Sequence, residues 1–284
     1  MEKRRFGRTG HKSSVAILGA FAFSEATQQE TDQAMEIAIR AGVNHIDIAP
    51  TYGHAEQRLR PWMAKERDRF FLGCKTMERD REGALAEMHE SLKTMKVDHF
   101  DLYQIHAITT QDELDAVLQP GGAIDALREA RERGLTRYVG ITGHGVDAPG
   151  LFLQALERFD FDSVLFPVSY IQFRNETYRK EAQQLIDVCR ERDVGTMAIK
   201  AVAKGEWGNQ EKKYNTWYEP FDEQDQIQKG INFALSYAVT GICTAGDVTL
   251  LPRVLEACQK YQPLNQQERE RLIKEQDPYQ PLFQ

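Results

Sequence analysis

Apolar positions along the chain follow two alternating rhythms. Short apolar runs begin near Val15, Asn44, Phe70, Phe100, Arg137, Asp162, Gly195 and Gly241, and each reads as a buried strand, eight in all. Between them apolar residues recur at helical spacing: Leu85, Met88, Leu92 and Met95, then Ala182, Leu185, Ile186 and Cys189, then Leu251, Val254, Leu255 and Cys258. Helix punctuation agrees with this reading. Thr27 followed by Glu30 has the spacing of a capping box, and Gly42 and Gly134 stand where a left-handed residue ends a helix. Strand and helix therefore alternate, which predicts parallel strands joined by right-handed crossovers. A count of eight predicts a closed α/β TIM barrel, (β/α)8, rather than an open doubly wound sheet. An open nucleotide-binding sheet would carry GxGxxG after an early strand, whereas the turn after the first strand here reads GAFAFSEA. The opening RRFGRTGHKSS reads either as a short N-terminal β-hairpin closing the barrel bottom or as a frayed terminus.

No Pro/Gly/Ser linker or low-complexity tract divides the 284 residues, so one domain over 1–284 is expected, with 262–284 as a C-terminal tail. The 36 basic and 43 acidic residues leave a net charge of −7, which offers no basic field for nucleic acid. No apolar run approaches the length of a membrane span, and the basic N-terminus lacks the apolar stretch of a secretory signal, so a cytoplasmic location is expected. The four cysteines are scattered with no CxxC pair, which predicts reduced thiols and no metal site or disulfide framework.

In an α/β barrel the chemistry collects at the C-terminal ends of the strands. Three consecutive strands here end in ionisable residues. HIDIAPTYG brings out Asp47 and, five residues on, Tyr52; FFLGCK ends in Lys75; FDLYQIH ends in His106. Because alternate strand residues share a face, Phe71, Gly73 and Lys75 point together, as do Leu102, Gln104 and His106. A phenol is a poor acid at neutral pH unless a cation favours its anion. Lys75 is the expected cation for Tyr52, Asp47 would keep that ammonium charged and oriented, and His106 would donate a hydrogen bond to a carbonyl oxygen. The set suits proton donation to an oxygen that gains charge as hydride arrives, and it contains no activated serine or cysteine.

Through FGRTG, HIDIAPTYG, GCK, YQIH, GGAIDALREARERGLTRYVGITGHG and TAGDVTLLPRVLEA, the chain resembles the aldo/keto reductase family over about residues 1 to 261. The resemblance implies a (β/α)8 barrel, NADP(H)-dependent reduction of a small aldehyde or ketone, and a catalytic tetrad at Asp47, Tyr52, Lys75 and His106. GITGHG looks like a bacterial branch whose members often carry a C-terminal ferredoxin-like extension, which is expected to be absent here. Cofactor contacts carried over by position fall on Thr142, Gly246, Asp247 and Arg253, and Lys200, at the barrel top without a visible partner, is a further cofactor candidate. Thr142–Gly143 stands in place of the family's Ser-Asn pair, Leu165 in place of a glutamine, and Ile199 in place of a stacking tyrosine. Gly246 is expected to open a helix whose first amides hold phosphate. Asp247 replaces a lysine expected on the adenosine 2′-phosphate while Arg253 matches the family's arginine, so NADP(H) is the expected cofactor and NAD(H) the alternative that Asp247 leaves open.

Phe21, Phe23, Trp207 and Trp217 are candidates for lining the substrate pocket, and Tyr214, Tyr218 and Phe221 crowd the same region; packing explains such aromatics equally well. His144 stands at the barrel top without a visible partner, and His54 reads as a loop residue. Two other functions remain open from sequence. One is a nucleotide-binding sensor or partner-binding module with little turnover, suggested by Leu165, Ile199 and Asp247. The other is a lyase using Lys75 as a Schiff base, against which the pairing with Asp47 argues. Oligomeric state has no signal.

Overall fold

The computed structural model describes all 284 residues. Eight parallel strands close into a barrel: β1 (Ala16–Gly19), β2 (His45–Asp47), β3 (Phe71–Thr76), β4 (Phe100–Ile108), β5 (Thr136–Gly143), β6 (Ser163–Pro167), β7 (Gly195–Ile199) and β8 (Gly241–Cys243). Each lies in sequence order beside the next, and β8 pairs with β1 through Ile242 opposite Ala16. Every strand starts within one residue of the position its apolar run marks. The helices around it are α1 (Gln28–Ala41), α2 (Ala55–Glu66), α3 (Arg81–Met95), α4 (Gln111–Leu118), α5 (Ala123–Glu132), α6 (Ala148–Arg158), α7 (Glu176–Glu191), α8 (Gln224–Leu235) and α9 (Leu251–Gln259), with α10 (Gln266–Ile273) following the last strand-helix unit. Their apolar stripes pack on the outer strand faces; Ala182, Leu185, Ile186 and Cys189 of α7 are all buried. All four cysteines are buried and unpaired.

Local signals explain the helix ends. Thr27 and Glu30 form the reciprocal capping box of α1, and Gly42 ends that helix at φ +89°. One boundary differs from expectation: α9 begins at Leu251, not at Gly246. The carboxylate of Asp247 accepts from the amide and hydroxyl of Thr249, at 2.8 and 2.5 Å, so residues 246–250 form a side-chain-stabilised turn in place of a first helical turn.

The opening segment forms the hairpin: Lys3–Arg5 pairs antiparallel with Lys12–Ser14. Phe6 leaves it to enter the barrel floor, fully buried among Ile17, Phe71, Leu102, Leu165, Met197 and Cys243. Gly195 is required beneath it, since a Cβ there would stand 2.3 Å from the Phe6 ring. At the other end, residues 262–284 are not a loose tail. After α10 the chain returns across the barrel mouth, held by a bidentate pair between Arg174 and Asp277 at 2.8 and 2.6 Å. Two hydrogen bonds join the Gln172 side chain to the Phe283 backbone, at 3.0 and 3.1 Å.

Candidate active site

The inward faces of β2, β3 and β4 deliver Asp47, Lys75 and Gln104 to one point inside the barrel. Lys75 Nζ donates to Asp47 Oδ2 at 2.6 Å, to the carbonyl of Ile48 at 3.0 Å and to the hydroxyl of Tyr52 at 3.1 Å. Gln104 Nε2 donates to the other carboxylate oxygen, at 3.1 Å. Tyr52 comes from the tight loop after β2, which rests on Ser24: Gly53 sits at φ +51°, and a Cβ there would meet the Ser24 carbonyl at 2.7 Å. The Tyr52 ring meets Phe21 edge-on at 5.3 Å and His106 at 5.8 Å. Tyr52, Asp47 and His106 line one cavity of about 270 Å³ in the barrel mouth, with Lys75 directly behind it. Sequence reasoning thus brings its four strand-end residues to one place. It gave Gln104 an inward face but not its role as the second ligand of Asp47.

His106 owes its direction to an irregularity in β4. Pairing with β5 shifts register between Ile105 and Ile108, and Ala107 adopts φ +55°. Such a bulge re-aims a side chain at the end of a strand. Arg79, which sequence reasoning overlooked, holds it by donating to the carbonyls of His106 at 2.9 Å and Ala107 at 3.2 Å while pairing with Glu113 at 3.0 Å.

Electrostatics divide the tetrad into a charged and a neutral half. Burial alone disfavours the Lys75 ammonium, but the carboxylate of Asp47 and the hydroxyl of Tyr52 raise its pKa above the ordinary lysine value. A lysine held charged in this way is not a Schiff-base nucleophile, so the lyase reading lacks its free amine. Burial pushes the Tyr52 phenol up to about 12, and the opposing pull of Lys75 does not overcome it. The expected net acidification is therefore not present in the free protein; burial outweighs the ammonium. At neutral pH Tyr52 keeps its proton and is a donor. Burial, with Lys75, Arg79 and Lys200 in the same sense, holds His106 well below the ordinary histidine value, so it is a neutral imidazole. Its Nδ1 has no partner in the chain.

Positions assigned to the cofactor scatter more widely. Gly246 lines the cavity. Backbone amides of Gly246, Asp247 and Val248 donate to no acceptor in the chain and so are free for an anion. The Asp247 carboxylate is committed inward: besides Thr249 it accepts from the Asn215 amide at 2.7 Å. Arg253 is exposed on the first turn of α9. Thr142 is fully buried and outside the cavity lining, its hydroxyl oxygen accepting from the Ala107 amide at 3.1 Å behind the bulge. Lys200 lines the reaction cavity itself. Leu165 belongs to the barrel floor, while Ile199 reaches the cavity wall.

Of the aromatic candidates, Phe21 and Trp217 line the cavity, joined by Tyr218. Phe23 and Trp207 do not. Phe23 is fully buried in the main core, and the Trp207 indole donates to the Thr216 carbonyl at 2.7 Å inside the segment that crosses the mouth between the paired strands Ala203–Gly205 and Glu219–Pro220. Tyr214 bonds Asp222, Phe221 is buried against Tyr170, and His54 is an exposed residue at the start of α2. No group of three or more His, Cys, Asp or Glu side chains stands where it could hold a metal ion.

Comparison with known proteins places these residues in a family context. The chain is 25% identical over 222 residues to the uncharacterized oxidoreductase YqkF of Bacillus subtilis, covering 72% of this chain and 66% of that protein. It is 26% identical over 161 residues to Protein REDOX 2 of Catharanthus roseus, covering 49% of each. The chain thus spans less than two thirds of these relatives' length. The fold matches that of an aldo-keto reductase from Bacillus halodurans in its holo form, with a TM-score of 0.74, 20% identity and coverage of 96% of both chains. The model of the aldo/keto reductase family matches residues 16–272, and the chain belongs to that family.

Proposed function

We propose that this barrel reduces a small aldehyde or ketone to the alcohol with NADPH, Tyr52 giving the proton to the carbonyl oxygen. The observation that carries the reading is Lys75 Nζ, bonded at once to Asp47 and to the Tyr52 hydroxyl, directly behind the cavity that holds His106. When bound, the cofactor supplies hydride to the carbonyl carbon. The chain's own residues handle the oxygen. His106, a neutral imidazole in the cavity wall, offers a hydrogen bond that orients the carbonyl. Tyr52 is protonated in the free protein, and negative charge developing on the substrate oxygen favours transfer of its proton. The phenolate left behind faces the Lys75 ammonium at 3.1 Å, which stabilises it, and Asp47 keeps that ammonium in place.

The free amides of Gly246, Asp247 and Val248 fit a phosphate group, and Arg253 is the side chain assigned to the adenosine phosphate. NADPH is preferred over NADH on that arginine, because the Asp247 carboxylate is taken up by Thr249 and Asn215 rather than facing outward. Thr142, buried outside the cavity, supports the site only through the bulge that carries His106. No helix is long and apolar enough to cross a membrane, and a cytoplasmic location is part of the proposal.

Replacing Tyr52 by Phe tests the assignment. Turnover with NADPH and an aldehyde is expected to fall by roughly 10²- to 10⁴-fold while NADPH affinity barely moves. Undiminished turnover removes Tyr52 as the proton donor. NADPH that binds but is consumed with no carbonyl in a broad aldehyde and ketone panel favours the sensor reading instead.

A further inference from the structure

The cavity holds a second basic group that takes no part in the proton transfer from Tyr52. Lys200 directly follows β7, which lies diametrically across the barrel from β3 and its Lys75. It is 6% exposed, adopts φ +60°, and has one hydrogen-bond partner, Nδ1 of His144, at 2.7 Å. The faces of Trp217 and Phe283 flank its Nζ at 4.7 and 5.4 Å. No carboxylate reaches it, and the one acid in the cavity wall, Asp47, has both oxygens committed to Lys75 and Gln104. A lysine in a left-handed backbone conformation, buried without a counter-ion, is a costly arrangement that the fold nonetheless retains at the mouth of the reaction cavity.

The titratable groups around it are His144 from the end of β5, His106 from β4, Cys243 from β8, Lys75 from β3 and Tyr218 from the crossing segment. None brings a negative charge at neutral pH. Burial pushes the Lys200 ammonium well below the ordinary lysine value, and burial together with Lys200 does the same to His144. The free cavity therefore gives this buried amine no counter-charge, and an arriving anion would supply one.

We propose that the carbonyl substrate carries a carboxylate at its far end and that Lys200 is the residue that recognises it. This rests on the reductase reading for the reacting end: the carbonyl faces Tyr52 and His106, and the anion faces the opposite wall. A short oxo-acid meets both ends of the cavity, whereas a simple alkanal leaves Lys200 without a partner. Binding pairs the anion with Lys200 Nζ and involves no covalent step.

Two measurements test this. In the first, 4-oxobutanoate and 4-carboxybenzaldehyde are compared with their methyl esters under saturating NADPH. The acids should be favoured in kcat/KM by roughly 10-fold or more, mostly through KM, and Lys200→Met and Lys200→Gln should both abolish that preference. The second needs no turnover. Titration calorimetry of succinate and of its dimethyl ester into wild-type enzyme should show the diacid binding at least about 10-fold more tightly, and so stands even where both variants fail to fold. Equal kcat/KM for acid and ester in the wild type, or equal binding of succinate and its dimethyl ester, overturns the assignment. A loss of NADPH affinity of about 10-fold or more in the variants, with the acid preference intact, also overturns it and gives the anion to the cofactor's phosphate. Preferential succinate binding with no reduction of any carbonyl would sink the reductase reading and leave Lys200 as an anion site.

Discussion

Lys75 and Lys200 stand on opposite walls of one cavity, 1% and 6% exposed, and their surroundings push them in opposite directions. Asp47 lies 2.6 Å from the first, so its ammonium persists despite burial. The second meets a histidine nitrogen and two aromatic faces, which do not repay the loss of water. Burial depth alone thus says little about the charge of an amine; the identity of its nearest partner decides it. One wall is organised before any ligand arrives, and the other is left with a vacancy for charge.

Removing each amine in turn should expose that contrast as opposite shifts in stability. The largest effect is expected for Lys75→Met, which strands the Asp47 carboxylate inside the barrel with Gln104 as its remaining partner. A loss of about 3–5 kcal/mol is expected in urea or thermal unfolding. A midpoint at or above that of the parent protein would break the comparison.

Lys200→Met should instead stabilise the protein, by about 1–3 kcal/mol near neutral pH. The unfolded chain protonates this lysine up to its ordinary value of 10.5, whereas the folded chain releases the proton at lower pH, so unfolding takes up a proton. The gain should therefore shrink as pH rises toward 10.5 and vanish above it. Lys75 has the reverse sign: its contribution is complete below the ordinary value of 10.5 and is lost as pH rises through its raised folded value. Parallel unfolding curves for the two variants across that range would show that the lysines do not differ.

The smallest effect belongs to Trp217→Ala. That side chain is 45% exposed and touches Lys200 through its face, so a cost of about 0.5 kcal/mol is expected in the same unfolding assay. A loss several times larger would make Trp217 a structural support rather than a wall of the cavity.

The first of these walls was far more legible in the sequence than the second. Asp47, Lys75 and His106 each end an apolar run, and the period of two in a strand gives their common face without knowledge of any distant segment. The hairpin and the capping box at Thr27 were readable for the same local reason. The Lys200–His144 contact joins residues 56 apart, and the Gln172–Phe283 contact joins residues 111 apart; no local pattern announces either. The bulge at Ala107 escaped notice because a positive φ at alanine has no composition signal of the kind glycine gives. At Asp247 a side chain outcompeted the helix for the local amides, which moved the start of α9 and turned an apparent repulsive charge into a tether.

The stapling of Phe283 to Gln172 also has a consequence for synthesis. A ribosome delivers β8 some forty residues before it delivers the aromatic ring that flanks Lys200, so the cylinder can seal while the rim on that side is still unmade. The nascent protein passes through a stage at which Lys200 has the face of Trp217 beside it but not yet that of Phe283. Completing the rim is then among the last steps of maturation rather than part of the collapse that builds the core.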